Sequence, residues 1–384
     1  MNRTEISPPP TSWGRLIALG AGLSLLVAVV LLAFSWPAVT ADPQGLPVGV
    51  VGEPDQVDQV AENIEDQADG AIELTRLDDR AAAVDAIEQR KVYGAVILGA
   101  EPTEGPEILI ARAANTQVAQ MLSGFAPRLQ SEIDAKIREQ VETGIAQAQE
   151  QAAAQMQQAL QAVAQGQTPQ LAPTGDGEAF SIPTVTVEVT DVVPLSDDDP
   201  NGAGLTASMF PLVIGGILGG VFITLAVKGS GARRVVAVLI YAASAGLVLT
   251  GVLQGIYGAL QGDYGLNALG MGLAIAAISG TITGLGAVLG RAGTAIGSAF
   301  MILVANPLSA ATVPVEFILS PWGTFGQWLP AGSAATLMRD LSYFPDAETS
   351  FSWTVLSVWA VVGLALTFVT LRRKDPSKSG SQAG

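Results

Sequence analysis

Long uncharged apolar runs bracket one extended polar insert in this chain. Leu16–Trp36, "LIALGAGLSLLVAVVLLAFSW", carries no charge and matches the roughly 20 residues that a bilayer-spanning helix needs. Beyond the insert, apolar runs recur at Leu205–Val227, Val235–Leu260, Gly265–Gly290, Ala292 to about Val313, and Phe351–Leu371. The pattern predicts six transmembrane helices arranged one plus five. The first run also has features of a signal peptide, since Arg3 and Arg15 precede it and "VTA" (Val39 to Ala41) follows. A signal core is usually about 7–15 residues, so a retained anchor is expected. Glycines at four-residue spacing, among them Gly216/Gly220 and Gly280/Gly284, let helix backbones approach closely and suit a compact bundle.

The insert changes period several times. "LPVGVVG" (Leu46 to Gly52), "AIELTRL" (Ala71 to Leu77), "VYGAVIL" (Val92 to Leu98) and "EILIARA" (Glu107 to Ala113) read as strands. Asp55–Ala68 and Asp79–Lys91 read as the helices between them. This alternation predicts a small α/β layer. Arg128 to Gln165 is rich in Ala and Gln and predicts a helix about 57 Å long. Ile133, Ile137, Val141, Ile145, Ala148, Ala152, Met156, Leu160 and Val163 form one narrow apolar stripe along it, expected to pack on another helix of this chain or of a second copy. Low-complexity disorder is the competing reading of that segment. "QTPQLAPTGDGEAF" (Gln167 to Phe180) reads as a loop, and Ile182–Leu195 as a returning strand.

Charge orients the chain. Arg3 and Arg15, Lys228, Arg233 and Arg234, Arg291, and the "RRK" of Arg372 to Lys374 all fall on one side if six helices alternate, which places both termini in the cytoplasm. Residues 38–204 hold 28 acidic and 8 basic residues, 8 − 28 = −20, against −16 for the whole chain. An acidic insert argues against nucleic acid as a partner. The expected fold is thus an α-helical polytopic plasma-membrane protein with an extracytoplasmic α/β domain carrying a long helix. Its parts are a cytoplasmic N-terminus (1–15), helix 16–36, the outer domain (37–204), a five-helix domain (205–371) and a cytoplasmic tail (372–384).

The residue inventory bounds the chemistry. There is no Cys and no His, which removes thiol sites, the commonest metal ligand and the commonest general base. No G-x-x-x-x-G-K-[ST] motif occurs, so a P-loop for ATP is not expected. No catalytic, cofactor-binding or metal site is expected, and the chain is not read as an enzyme. Gln254 and Asn306 are the polar side chains expected within the spans, where interhelical hydrogen bonding accounts for both.

One stretch breaks the pattern: "NPLSAATVPVEFILSPWGTFGQWLPAGSAATLMRDLSYF", Asn306 to Phe344, with Pro307, Pro314, Pro321 and Pro330, two tryptophans and scattered charges. Three elements carry a family resemblance: "NPLSAA" (Asn306 to Ala311), "WGTFGQWLPAG" (Trp322 to Gly332), and "AIEQRKVYGAVIL" (Ala86 to Leu98) in the insert. With the one-plus-five layout, the chain resembles the ABC-2-type exporter permeases, and within them the YhgE/Pip-like membrane proteins of Gram-positive bacteria. The resemblance implies that residues 306–344 dip back into the outer leaflet as a broken re-entrant gate. Proline-broken backbone at membrane depth is tolerated only inside protein. Asn306, Pro307, Pro314, Glu316, Pro321, Trp322, Trp328 and Pro330 are its candidate residues, the tryptophans at interfacial depth. The competing reading is a plain outer loop.

The resemblance further implies export of an amphipathic or lipid-like compound by a homodimer or heterodimer with a separate ATPase subunit. Lys228, Arg233 and Arg234 in "KGSGARR" form the candidate cytoplasmic coupling loop. The chain departs from the permease pattern in having about fifteen residues before the first span and only this short loop where a coupling helix is usual. A scaffold or receptor acting through the outer domain, as a secretion accessory or phage receptor, is the alternative.

Overall fold

The computed structural model describes residues 12–68, 70–99, 105–164 and 185–369. Arg3, the loop Gln167–Phe180, the first residues of the expected strand from Ile182, and Arg372–Lys374 lie outside them. In chain order the elements are α1 (Trp13–Val39), β1 (Leu46–Val51), α2 (Pro54–Ala68), β2 (Ile72–Arg76), α3 (Arg80–Glu88), β3 (Gly94–Ile97), β4 (Glu107–Ile110), α4 (Thr116–Ser123), α5 (Ala126–Ala164) and β5 (Glu188–Asp191). The rest is helical: α6 (Ala203–Ala226), α7 (Gly231–Gly255), α8 (Tyr264–Leu289), α9 (Arg291–Phe300), α10 (Trp322–Gln327), α11 (Pro330–Tyr343) and α12 (Ser350–Leu366). Two compact units result, one containing residues 47–69 and 73–194 and the other the remainder.

The first unit is built on a five-stranded sheet of order β2-β1-β3-β4-β5. β1 and β3 run parallel with Val50 opposite Val96, β3 and β4 run antiparallel with Val96 opposite Ile108, and β4 and β5 run parallel with Ile108 opposite Val189. Val48, Val50, Ile87, Ile108, Leu109, Val118 and Leu122 form its buried core. Two helix starts are capped by side chains: Asp79 accepts the Ala82 N–H, and Asn115 accepts those of Gln117 and Val118, satisfying amides that a helix leaves without partners. Arg80 grips Glu107 with two hydrogen bonds of 2.7 Å, and Thr190 donates a third at 2.7 Å. This pairing, above all the Arg80 hydrogen bonds, holds the Glu107 carboxyl below its ordinary pKa, against a smaller opposing effect of burial.

The 39-residue helix α5 is fixed at its start by one side chain. The Gln130 amide donates to the Val185 carbonyl at 2.8 Å and accepts the Val187 N–H at 2.8 Å. Farther along, Ile145, Met156 and Leu160 are exposed, so among the described residues no helix of this chain covers that part of the stripe.

The second unit is organised around α8. This helix is apolar along its length and most of its residues are buried, as expected of a helix hydrophobic on every side. Glycines set the close contacts: Gly216 and Gly220 of α6 rest on Ile278 and Ile282 of α8, and Gly284 of α8 abuts the Gly363 backbone of α12. Near the α7–α8 turn, the buried Asn267 donates to Gln254 Oε1 at 3.1 Å and to the Gln261 carbonyl at 2.7 Å.

The helices match the expected span pattern in part. Among the described residues, four helices are long and apolar enough to cross a membrane: 20–39, α6, α7 and α8. The fifth and sixth expected spans are shorter apolar helices, Arg291–Ala305 and Ser350–Leu366. The fifth stops early because Pro307 has no N–H to continue the ladder and its ring crowds the preceding turn. Met301–Ala305 widens into a π-helical turn instead, with the Asn306 N–H bonding the Met301 carbonyl at 3.0 Å. Such turns relieve a local conflict within a helix.

Candidate functional site

From Asn306 the chain leaves the helix and folds back on itself in compact irregular turns. Asn306 and Pro307 are half-buried, while Pro314 is buried and starts a single 3-10 turn, Val315–Phe317. Glu316 is half-buried within that turn. Pro321 is exposed at the start of α10, and Pro330 is buried in the first turn of α11, where a missing N–H costs nothing. The two helical turns lie tightly on the irregular strand: a Cβ on Gly326 would overlap the Leu308 carbonyl, and one on Gly323 the Val315 carbonyl. Only glycine permits such backbone approach.

Side chains latch the fold-back. Gln327 is the hub: its Nε2 donates to the Ser309 carbonyl at 3.4 Å, its Oε1 accepts from Thr336 at 2.7 Å, and its carbonyl accepts from Ser333 at 2.6 Å. Arg339 reaches the Ala311 carbonyl at 3.2 Å. Trp322 packs edge-to-face on Trp36 of α1 with ring centroids 6.3 Å apart, and Trp328 packs on Phe351 of α12 at 4.9 Å. Both tryptophans keep large exposed faces, 44% and 57%, which suits rings at a membrane–water boundary.

A cavity of about 380 Å³ opens beside this segment, walled by Phe34, Pro37 and Ala38 of α1, Thr206, Met209 and Phe210 of α6, and Asn306–Pro307 with Ser309–Val313. Its walls are apolar, its polar groups are hydroxyls and one amide, and no charged residue lines it. Apolar walls with a few polar groups are the usual composition of a small-molecule site. Of the eight expected gate residues the cavity gathers two, Asn306 and Pro307; the other six lie elsewhere on the fold-back. Phe34, Thr206 and Phe210 carried no local sequence signal, being distant in the chain and ordinary in type. Asp340, buried in α11, was signalled by the Arg339–Asp340 pair in an otherwise apolar stretch and was missed there.

The expected coupling residues lie at the opposite end of the bundle. Lys228 occupies the connection Val227–Ser230 between α6 and α7, and Arg233 and Arg234 sit in the first turn of α7. Cations gain nothing from a helix N-terminus, so these side chains are not there to stabilise α7. Gly231 abuts the Thr367 carbonyl at the end of α12, and Gly286 abuts Thr224 near the end of α6. The basic loop, the end of α12 and the α8–α9 corner with Arg291 therefore share one end of the bundle.

The helical unit is that of a polytopic membrane protein, with a closely packed bundle and a broken, tryptophan-bearing fold-back before its last helix. Residues 21–369 match the family described as "ABC-2 family transporter protein". That match covers most of the chain, which belongs to this family and is a transporter membrane subunit. No curated protein and no solved structure shows significant similarity to it.

Proposed function

We propose that this chain is the permease subunit of an ABC-2-type exporter that moves an amphipathic or lipid-like compound out of the cell, in the YhgE/Pip-like branch of Gram-positive proteins. The observation carrying this reading is the cavity where Asn306–Val313 meets α1 and α6, mostly apolar and without a charged residue in its lining. Such a site suits a molecule presented by the bilayer better than a hydrated ion. In this reading Arg291–Ala305 and Ser350–Leu366 complete six crossings, both termini are cytoplasmic, the α/β unit is extracytoplasmic, and Asn306–Phe344 is the outer gate. Basic residues gathered at one end of the bundle favour that orientation. The chain works as a dimer with a separate ATPase gripping the loop of Lys228, Arg233 and Arg234.

The test is isolation of the tagged protein from its native membrane at natural expression. A stoichiometric nucleotide-binding subunit is the expected result, together with altered efflux or envelope lipids in a deletion strain. The very short α6–α7 connection favours one rival, an envelope scaffold or receptor working through the α/β unit. Recovery with secretion or cell-wall components, no ATPase and unchanged efflux would establish that rival instead.

A further inference from the structure

The chain leaving α1 is hydrogen-bonded to the fold-back before it reaches the first strand. The Asp42 N–H donates to the Phe317 carbonyl at 3.2 Å and the Gln44 N–H to the Glu316 carbonyl at 3.0 Å. These two residues flank Pro43 in an irregular connection and meet successive carbonyls of the 3-10 turn. The Gln44 side chain adds a third tie, its Oε1 accepting the Ser320 N–H at 3.2 Å. With no free residue between, the Gly45 N–H then bonds the Gly70 carbonyl at 2.8 Å and the Leu46 N–H the Ala71 carbonyl at 2.9 Å, at the start of β1. A single ribbon of hydrogen bonds thus leads from the proposed gate into the first strand.

The return connection is also docked on the helical unit. Asp199 caps α6, accepting the Ala203 and Gly204 N–H groups at 2.9 and 2.8 Å. Asp198 rests on Gly258 of the α7–α8 turn. Tyr343, in the last turn of α11, donates to the Ala259 carbonyl of that turn at 3.0 Å and lies beside Ser196 and Asp199. Both connectors of the α/β unit therefore bear on the same segment, one at the 3-10 turn and one at the far end of α11.

We infer that these connectors make the gate segment responsive to the α/β unit: a partner or ligand that shifts or loosens that unit moves Val315–Ser320 through the Asp42–Gln44 strap. The physical basis is absence of slack. Flexible loops of many residues absorb displacement at little cost, whereas here every backbone N–H from Asp42 to Leu46 is bonded, Pro43 having none to offer. Coupling between sites requires a contiguous element that both can bias, and the strap supplies one. The inference rests on the gate assignment proposed above, but its test needs neither cargo nor ATPase, so each can fail alone.

The experiment is hydrogen exchange on the full chain in lipid nanodiscs, read at peptides covering 312–322. Gln44→Pro removes the donor to Glu316 and the acceptor for Ser320, and is expected to speed exchange there by about tenfold, the scale of one lost hydrogen bond. Loosening the sheet with Ile108→Ala is expected to speed exchange at 312–322 at least about threefold. Two glycines inserted between Gln44 and Gly45 should abolish that second effect while leaving the 42–44 bonds intact. Unchanged exchange at 312–322 in Gln44→Pro would overturn the inference. So would a response to Ile108→Ala that survives the glycine insertion. Should Ile108→Ala not fold, Glu107→Gln replaces it with the same expected readings.

Discussion

Ala310 holds a left-handed backbone with φ 54°, a conformation that costs an ordinary L-residue about 1–2 kcal/mol. It is buried and lines the cavity. Strain of this kind is retained where surrounding structure over-determines it, and here Gln327 and Arg339 pin Ser309 and Ala311 on either side. A β-branched residue tolerates the left-handed region least. Ala310→Val is therefore expected to lower stability by about 2 kcal/mol or more, with Ala310→Gly tolerated, as thermal unfolding of the solubilised protein would record. Glu107 gives a residue-scale prediction in the other unit. Its folded pKa is depressed by Arg80, so its contribution is full above the unfolded carboxylate pKa, near about 4.3, and is lost as pH falls through the lower folded value. Glu107→Gln should be the less stable protein at neutral pH, and the gap should narrow on acidification below about pH 4. Unfolding midpoints of the two chains across that range decide it.

Elements differ in how much of them the sequence discloses. β1 and β3 were legible as short apolar, β-branched runs, and the long helix α5 because its apolar spacing of three or four holds over many residues. α4 was not, being eight residues long, and its only strong signal is the Asn115 cap. The expected span from Ala292 to Val313 ran too far because apolar residues continue past the Asn306–Pro307 break, although a residue before proline commonly marks a helix boundary. The cavity was illegible for a different reason: Phe34, Thr206 and Asn306 meet only through tertiary packing. Glycines in "WGTFGQWLPAG" were visible as a motif, but their physical role appears only where Gly326 meets the Leu308 carbonyl. Gly326→Ala must displace backbone rather than a flexible side chain. Overpacking of this kind costs about 1–3 kcal/mol, and the loss should be accompanied by faster hydrogen exchange across α10 and α11 while α8 stays protected.

At the scale of the molecule, the charge distribution and the contact geometry make a joint claim about orientation. Residues outside 38–204 carry 19 − 8 = 11 basic and 35 − 28 = 7 acidic side chains, a net +4. Each Lys or Arg near an anionic inner leaflet contributes about 1 kcal/mol of attraction. Lys228, Arg233, Arg234 and Arg291 gather at one end of the bundle, while Asp198, Asp199, Asp263 and Tyr343 belong to the other. The six-crossing reading turns that division into an experiment, and the Cys-free sequence makes it clean. Ser230, in the basic loop, and Asp346, beyond α11, are both exposed. Ser230→Cys should react with a membrane-impermeant maleimide only after the cells are opened, and Asp346→Cys should react in intact cells. With α7 and α8 crossing, labelling of both cysteines from the same side would mean that Arg291–Ala305 does not cross. That helix, 10 α-helical and 5 π-helical residues, is about 20 Å long, short of the roughly 30 Å hydrocarbon core, so local thinning of the bilayer or the adjoining residues beyond Ala305 must make up the difference. Opposite labelling would show that they do, placing the fold-back of Asn306–Phe344 and both connectors of the α/β unit on the outer side.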